Sequence, residues 1–139
     1  LKQGDIEEIG KLEMLKKEVK YKNSRFDIYF ETAKTKAFME VKGVTLELDE
    51  MAMFPDAPTA RGARHIEELI EARQEGYEGY LFFLIQMEGV TGFTPNRKMD
   101  ELFAKTLEKA AKAGVKVMVY DAKVNEGDIV LGKAIPFQL

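Results

Sequence analysis

Six consecutive apolar residues, Tyr80–Ile85 (YLFFLI), constrain this chain more than any other stretch. Side chains on a strand alternate between faces, so an uninterrupted apolar run leaves neither face for water. The run is far too short to cross a bilayer, which takes about 20 helical residues. It therefore predicts a central strand in a sheet covered on both sides. Helical signals flank it. Thr59 is a good N-cap for a helix running to about Glu75, where Gly76 supplies the stop; Asp100 caps a second helix over about 101–113, closed by Gly114. VKVMVYDAKV (115–124) reads as a further strand, with a turn at Asn125–Gly127 and a short strand, DIVLG, after it. Strands alternating with helices imply right-handed crossovers and an α/β fold, a mixed sheet flanked by helices on its faces.

Upstream, SRFDIYFE (24–31) alternates, with Phe26, Ile28 and Phe30 on one face and Arg25, Asp27, Tyr29 and Glu31 on the other. That pattern predicts a half-buried strand. TAKT makes a turn into its hairpin partner, FMEVKGVTLE (38–47). Leu46–Leu48 and Met51–Phe54 are expected to continue as a meander around Asp49–Glu50. Residues 5–19 read as a helix capped by Asp5, because Ile6, Ile9, Leu12, Leu15 and Val19 recur at helical spacing. FPDAPT (54–59) and GFTPNRKM (92–99) are expected as loops. No repeat, low-complexity tract or interior linker divides residues 1–139, which read as one domain.

The chain has no cysteine, which excludes disulfides, thiolate zinc sites and a cysteine nucleophile. That suits a reducing compartment, so a cytoplasmic protein without membrane attachment is expected. A formal charge of −3 on its face argues against a nucleic-acid binder. The distribution is less even than the sum. Lys16, Lys17, Lys20, Lys22 and Arg25 lie within ten residues, and Arg61, Arg64 and His65 form a second group. Taken singly, such clusters read as solvated faces.

One charged pair does not fit a plain apolar strand. In FMEVKGVTLE, Glu40 and Lys42 share a face, while Met39 and Val41 point the other way, toward a core. The hairpin brings Asp27 near Glu40, with side chains across such a pair roughly 5–8 Å apart. Two carboxylates at that spacing repel unless a cation lies between them, and Mg²⁺ takes one or two carboxylates with water and phosphate. The Val41 carbonyl adds an oxygen, Lys42 can hold a water or steady charge on a phosphate, and Glu18 can offer a further carboxylate. The competing reading makes Asp27 and Lys42 an exposed cross-strand ion pair of little worth. Asp56, in the loop, and Gln86, at the end of the apolar run, fit either a turn and strand-end role or an edge of such a site.

KKEVKYKNSRFDIYFE, FMEVKGVTLE and FPDAPTARGARHIEELIEARQEGY, followed by YLFFLIQ, AGVKVMVYDAKV and LGKAIPF, resemble in order and spacing the sugar fermentation stimulation protein A (SfsA) family. The resemblance implies a core like that of PD-(D/E)XK restriction-endonuclease-like proteins. On it, Asp27 matches the motif aspartate, Glu40 and Lys42 match the (D/E)xK pair, and Glu18 resembles the acidic helix residue of many such nucleases. Mg²⁺ or Mn²⁺ is the implied cofactor, held by Asp27, Glu40, Val41 and Glu18, and DNA the implied partner. Arg61, Gly62 and His65 match the family string, which suggests phosphate contact at a helix N-terminus. Lys16, Lys17, Lys20 and Arg25 are expected to contact phosphate without sequence preference; Arg64 fits the charge argument only. Family members usually carry an N-terminal OB-like domain, so this chain is expected to be the nuclease-like domain without it. A homodimer is one state the resemblance allows. The implied function is a DNA-binding, metal-dependent nuclease; the alternative is a non-catalytic DNA-binding regulatory module with a vestigial site.

Overall fold

A computed structural model describes residues 12–125 and 128–139. The elements in chain order are β1 (Met14–Tyr21), β2 (Ser24–Glu31), β3 (Lys36–Val44), β4 (Leu46–Leu48), β5 (Met51–Phe54), α1 (Ala60–Gln74), β6 (Glu78–Ile85), β7 (Gly92–Pro95), α2 (Glu101–Lys112), β8 (Lys116–Asn125) and β9 (Asp128–Ala134). The apolar run lies in β6, inside a six-stranded sheet of order β1-β2-β3-β6-β8-β9. Strands β3, β6 and β8 run parallel, and antiparallel hairpins flank them on both sides.

Both faces of β6 are buried, as the run predicts. Leu81, Phe83 and Ile85 meet Ile66 and Leu69 of α1 and Phe103 and Leu107 of α2, all fully buried. Tyr80, Phe82 and Leu84 face the other way, beside Phe30, Met39 and Met118. The Phe82 ring stacks on Tyr120 at 5.5 Å. Both described helices belong to the first of these layers, where helices on both faces were expected. The strand order explains this. The crossovers β3-α1-β6 and β6-α2-β8 advance in the same direction across the sheet, so crossovers of one hand place both helices on one side. Among the described residues no helix is long and apolar enough to cross a membrane.

Three sequence expectations change. Residues 14–21 form a strand, not the end of a helix over 5–19; the earlier part of that prediction lies outside the described residues. Leu15 and Val19 fit both periods, and pairing with β2 along most of the segment decides for the strand. Gly92–Pro95 is strand β7 within the expected loop, paired parallel to β5. Glycine and proline read as punctuation there, yet β7 is an edge strand, where proline is tolerated. Strands β4 and β5 do form a hairpin, but with β7 they make a separate three-stranded sheet rather than continuing the main one.

Helix α1 carries site residues, so its placement matters. Thr59 caps it, its Oγ1 accepting from Gly62 N–H at 3.0 Å. A side chain on Gly62 would meet the Thr59 side chain at 2.9 Å, which explains why the turn after the cap is glycine. Asp100 caps α2 through Phe103 N–H at 3.0 Å, and its second oxygen accepts from Thr59 N–H at 2.8 Å. One carboxylate therefore ties together the starts of both helices. Asp100→Ala removes two such bonds and is expected to cost about 2 kcal/mol in urea unfolding, against about 1 kcal/mol for Thr59→Ala, which removes one.

Candidate functional site

The β2–β3 ladder runs from Glu31↔Lys36 to Ile28↔Met39 and stops. The next pair in register is Asp27 and Glu40, and there side chains replace ladder bonds. Asp27 N–H donates to Glu40 Oε1 at 3.3 Å, and Val41 N–H donates to Asp27 Oδ2 at 2.7 Å. The two strands part at this point because β2 changes face. Phe26 packs in the helix-side core, whereas Ile28 and Phe30 pack in the layer on the other face. Residues two apart on a regular strand share a face, so the expected grouping of Phe26 with Ile28 and Phe30 fails at Asp27. Strand β1 breaks at the matching place. Glu18, between the pairs Lys17↔Ile28 and Val19↔Phe26, has a left-handed backbone (φ 53°) and stands opposite Asp27.

Beyond the break, the β1–β2 ribbon folds onto α1. Val19, Tyr21 and Phe26 join the helix-side core, and the Tyr21 ring lies 4.8 Å from Phe38 and 5.6 Å from Tyr77. At the tip, Lys22 Nζ bonds Glu75 Oε2 at 2.5 Å and lies 3.8 Å from Glu71 Oε2.

The face shared by Glu40 and Lys42 looks toward α1, beside Phe38 and Val44, while Met39 and Val41 pack on the opposite layer as expected. Glu40 is only 3% exposed. Its Oε2 lies 2.5 Å from His65 Nδ1 and accepts from Lys42 Nζ at 3.3 Å. Burial pushes the Glu40 carboxyl above its ordinary range, and the hydrogen-bonded, like-charged Asp27 carboxyl adds to this; Lys42 and His65 act in the opposite direction. Asp27 is exposed and Lys42 partly so, so the cluster opens on their side. A strand residue's N–H and C=O point to the same neighbour, so the Val41 carbonyl also faces the split.

Asp27, Glu40, Lys42 and Val41 thus come together, His65 joins them through Glu40, and the remaining candidates do not. Glu18 lies exposed on a strand where a helix was expected. Among the described residues no three carboxylate or imidazole side chains stand close enough to hold a metal between them. Lys42 pairs with Glu40 on its own strand rather than with Asp27. His65 is buried on Glu40 instead of standing at the surface, and its partner lies 25 residues away in the chain, beyond the reach of local spacing. Arg61 is exposed in the first turn of α1, and Arg64 lies 4.0 Å from Glu68. Lys16, Lys17, Lys20 and Arg25 are all exposed on the ribbon. Asp56 is exposed in its loop, and Gln86 lies over Gly43, where a side chain would meet its Nε2 at 3.1 Å. Sequence spacing gave no sign of Glu68, buried on α1 with one carboxylate oxygen lacking a hydrogen-bond partner.

A mixed sheet of this order with its two helices on one face has a nuclease-like α/β fold. The chain belongs to the sugar fermentation stimulation protein family: residues 1–128 match the model described as the sugar fermentation stimulation protein RE domain. It is 45% identical over 139 residues to a sugar fermentation stimulation protein homolog of Alkaliphilus oremlandii, covering 97% of this chain and 59% of that protein. It is 48% identical over 126 residues to the homolog of Ruminiclostridium cellulolyticum, covering 91% and 56%. The structure of Pyrococcus furiosus SfsA in complex with Ca²⁺ matches it with a TM-score of 0.87 at 31% identity, over 95% of this chain and 58% of that one. The chain therefore spans under three fifths of the length of these relatives.

The burial of Glu40 has a pH signature. Its folded pKa is raised, so the folded state holds this proton more tightly than the unfolded state does. Stability then falls as pH rises through the window that begins at the ordinary glutamate value of 4.5. Glu40→Gln has no such proton to hold. Urea midpoints across that window are expected to show wild type losing stability relative to Glu40→Gln as pH rises; parallel curves would contradict the assignment.

Proposed function

We propose that this chain is a Mg²⁺- or Mn²⁺-dependent phosphodiesterase domain acting on DNA in the cytoplasm. The observation that carries the reading is the meeting of Asp27 and Glu40 at the β2–β3 split, with Lys42 bonded to Glu40. The donor set fits a hard cation. Two carboxylates and the Val41 carbonyl leave room in an octahedron for water and a phosphate oxygen, which is how Mg²⁺ is usually bound. The electrostatics fit too: burial first, and the neighbouring Asp27 carboxyl second, hold the Glu40 carboxyl above its ordinary range, and a cation beside it would favour the charged form. The Ca²⁺ in the related Pyrococcus furiosus structure is a cation of the same oxygen-seeking kind.

Asp27, Glu40 and Val41 would hold the ion, which when bound neutralises phosphate charge and lowers the pKa of water. The remaining work falls to the chain. Lys42, with its side chain 16% exposed, places an ammonium beside the carboxylates, where it can hold a water or meet charge building on the phosphoryl oxygens. His65 fixes the Glu40 carboxylate from the buried side, so that one edge stays turned to Asp27. Arg61, at the N-terminal turn of α1, is available to a phosphate. A second reading has one specific support: the bonds from Asp27 N–H and Val41 N–H are also what a purely structural, non-catalytic pair would make.

Calorimetric titration with Mn²⁺, alongside cleavage of plasmid, single-stranded and branched DNA, separates the two. Asp27→Asn and Glu40→Gln are expected to lose both Mn²⁺ binding and cleavage. Lys42→Ala is expected to keep Mn²⁺ binding while cleavage slows by about 100-fold or more. Wild-type protein that neither binds Mn²⁺ nor cuts any of these DNAs would establish the structural reading instead.

A further inference from the structure

The cations of the β1–β2 ribbon are not arranged on one surface. Lys16, Lys17, Lys20 and Arg25 are exposed, and among the described residues none is ion-paired, whereas neighbouring Lys22 is taken up by Glu71 and Glu75. Cross-strand partners share a face, which sorts them. Lys16 pairs with Tyr29, which packs on the helix side. Lys17 pairs with Ile28, which packs on the opposite layer. Lys20 pairs with Arg25 between two pairs whose members Phe26 and Tyr21 face the helices, so both cations point away from them. Three cations therefore form an outer patch, on the face opposite the one where Glu40 meets α1. The strand between the two faces, β1, is the edge of the sheet.

A duplex cannot use both surfaces. It is stiff over about 150 base pairs, and on the outer patch it would lie across the sheet from the carboxylates. Nor can the ribbon enter a major groove about 12 Å wide as a bare two-stranded element, because its inner face is buried against α1. A single strand is free of both restrictions: its backbone can follow lysine and arginine on one face, bend over an edge strand and continue on the other. We infer that the DNA reaching the Asp27–Glu40 split is single-stranded where it passes the ribbon, running from Lys17, Lys20 and Arg25 over the β1 edge toward Lys16 and Asp27. This rests on the proposed DNA reading of the site and adds the substrate class and the path.

The test is fluorescence anisotropy in EDTA, where the metal site plays no part, with a labelled 20-nucleotide strand and its blunt duplex over a series of salt concentrations. The single strand is expected to bind at least about 10-fold tighter than the duplex. In the triple variant Lys17→Gln, Lys20→Gln, Arg25→Gln, that preference should vanish and the single-strand log–log salt slope should shrink by about 2, at about 0.7 per lost contact. Equal urea midpoints for variant and wild type check that the fold is kept. Duplex binding as tight as single-strand binding, or a variant with unchanged affinity and slope, would overturn the inference. Mn²⁺ calorimetry on the same proteins keeps the two ideas apart: intact Mn²⁺ binding without strand preference sinks the path alone, whereas absent Mn²⁺ binding sinks the proposed chemistry.

Discussion

A carboxylate that is 3% exposed next to a second carboxylate is the interaction on which the remaining features of this domain converge. Moving such a group out of water costs several kcal/mol unless hydrogen bonds and opposite charge replace its hydration. Glu40 obtains the Asp27 N–H, the Lys42 ammonium and the His65 imidazole. Each comes from a different source: the parted strand β2, the same face of β3, and a helix 25 residues away. The site exists because a sheet, a helix and a ribbon meet around one oxygen-rich point.

Helix α1 is held at both ends so that its middle can serve this point. At its start, Thr59 and Asp100 link it to α2; at its end, Lys22 on the ribbon tip reaches Glu71 and Glu75. Between these ties, Ile66 and Leu69 lock the helix on β6 and leave His65 aimed at Glu40. The ribbon belongs to the same design. Its turn toward α1, at the left-handed backbone of Glu18 and the change of face at Asp27, is what parts β2 from β3 and lets the Asp27 carboxylate and the Val41 amide meet.

The buried run at Tyr80–Ile85, the capped helices and the β2–β3 hairpin were legible in the sequence because each is written in local periodicity and turn chemistry. So was the approach of Asp27 to Glu40, which follows from hairpin register. What sequence reasoning missed has one physical cause, that long-range pairing overrides local pattern. Leu15 and Val19 satisfied a helical period, yet β2 claimed them for a strand. The face change at Asp27 depends on α1 lying under the ribbon, which no spacing within SRFDIYFE records. His65 carried signals for an exposed helix start, and only the packing of α1 on β3 turns it inward. The family likeness marked the residues but not their geometry, and it assigned to Glu18 a helix that the fold replaces with an edge strand.

The proposed chemistry requires two carboxylates and a backbone carbonyl to share one divalent ion, and anomalous diffraction from crystals grown with Mn²⁺ examines that directly. The predicted map has a manganese peak bounded by Asp27, Glu40 and the Val41 carbonyl. A map with Asp27 still bonded to Val41, Glu40 still held by His65 and no manganese between them would contradict it.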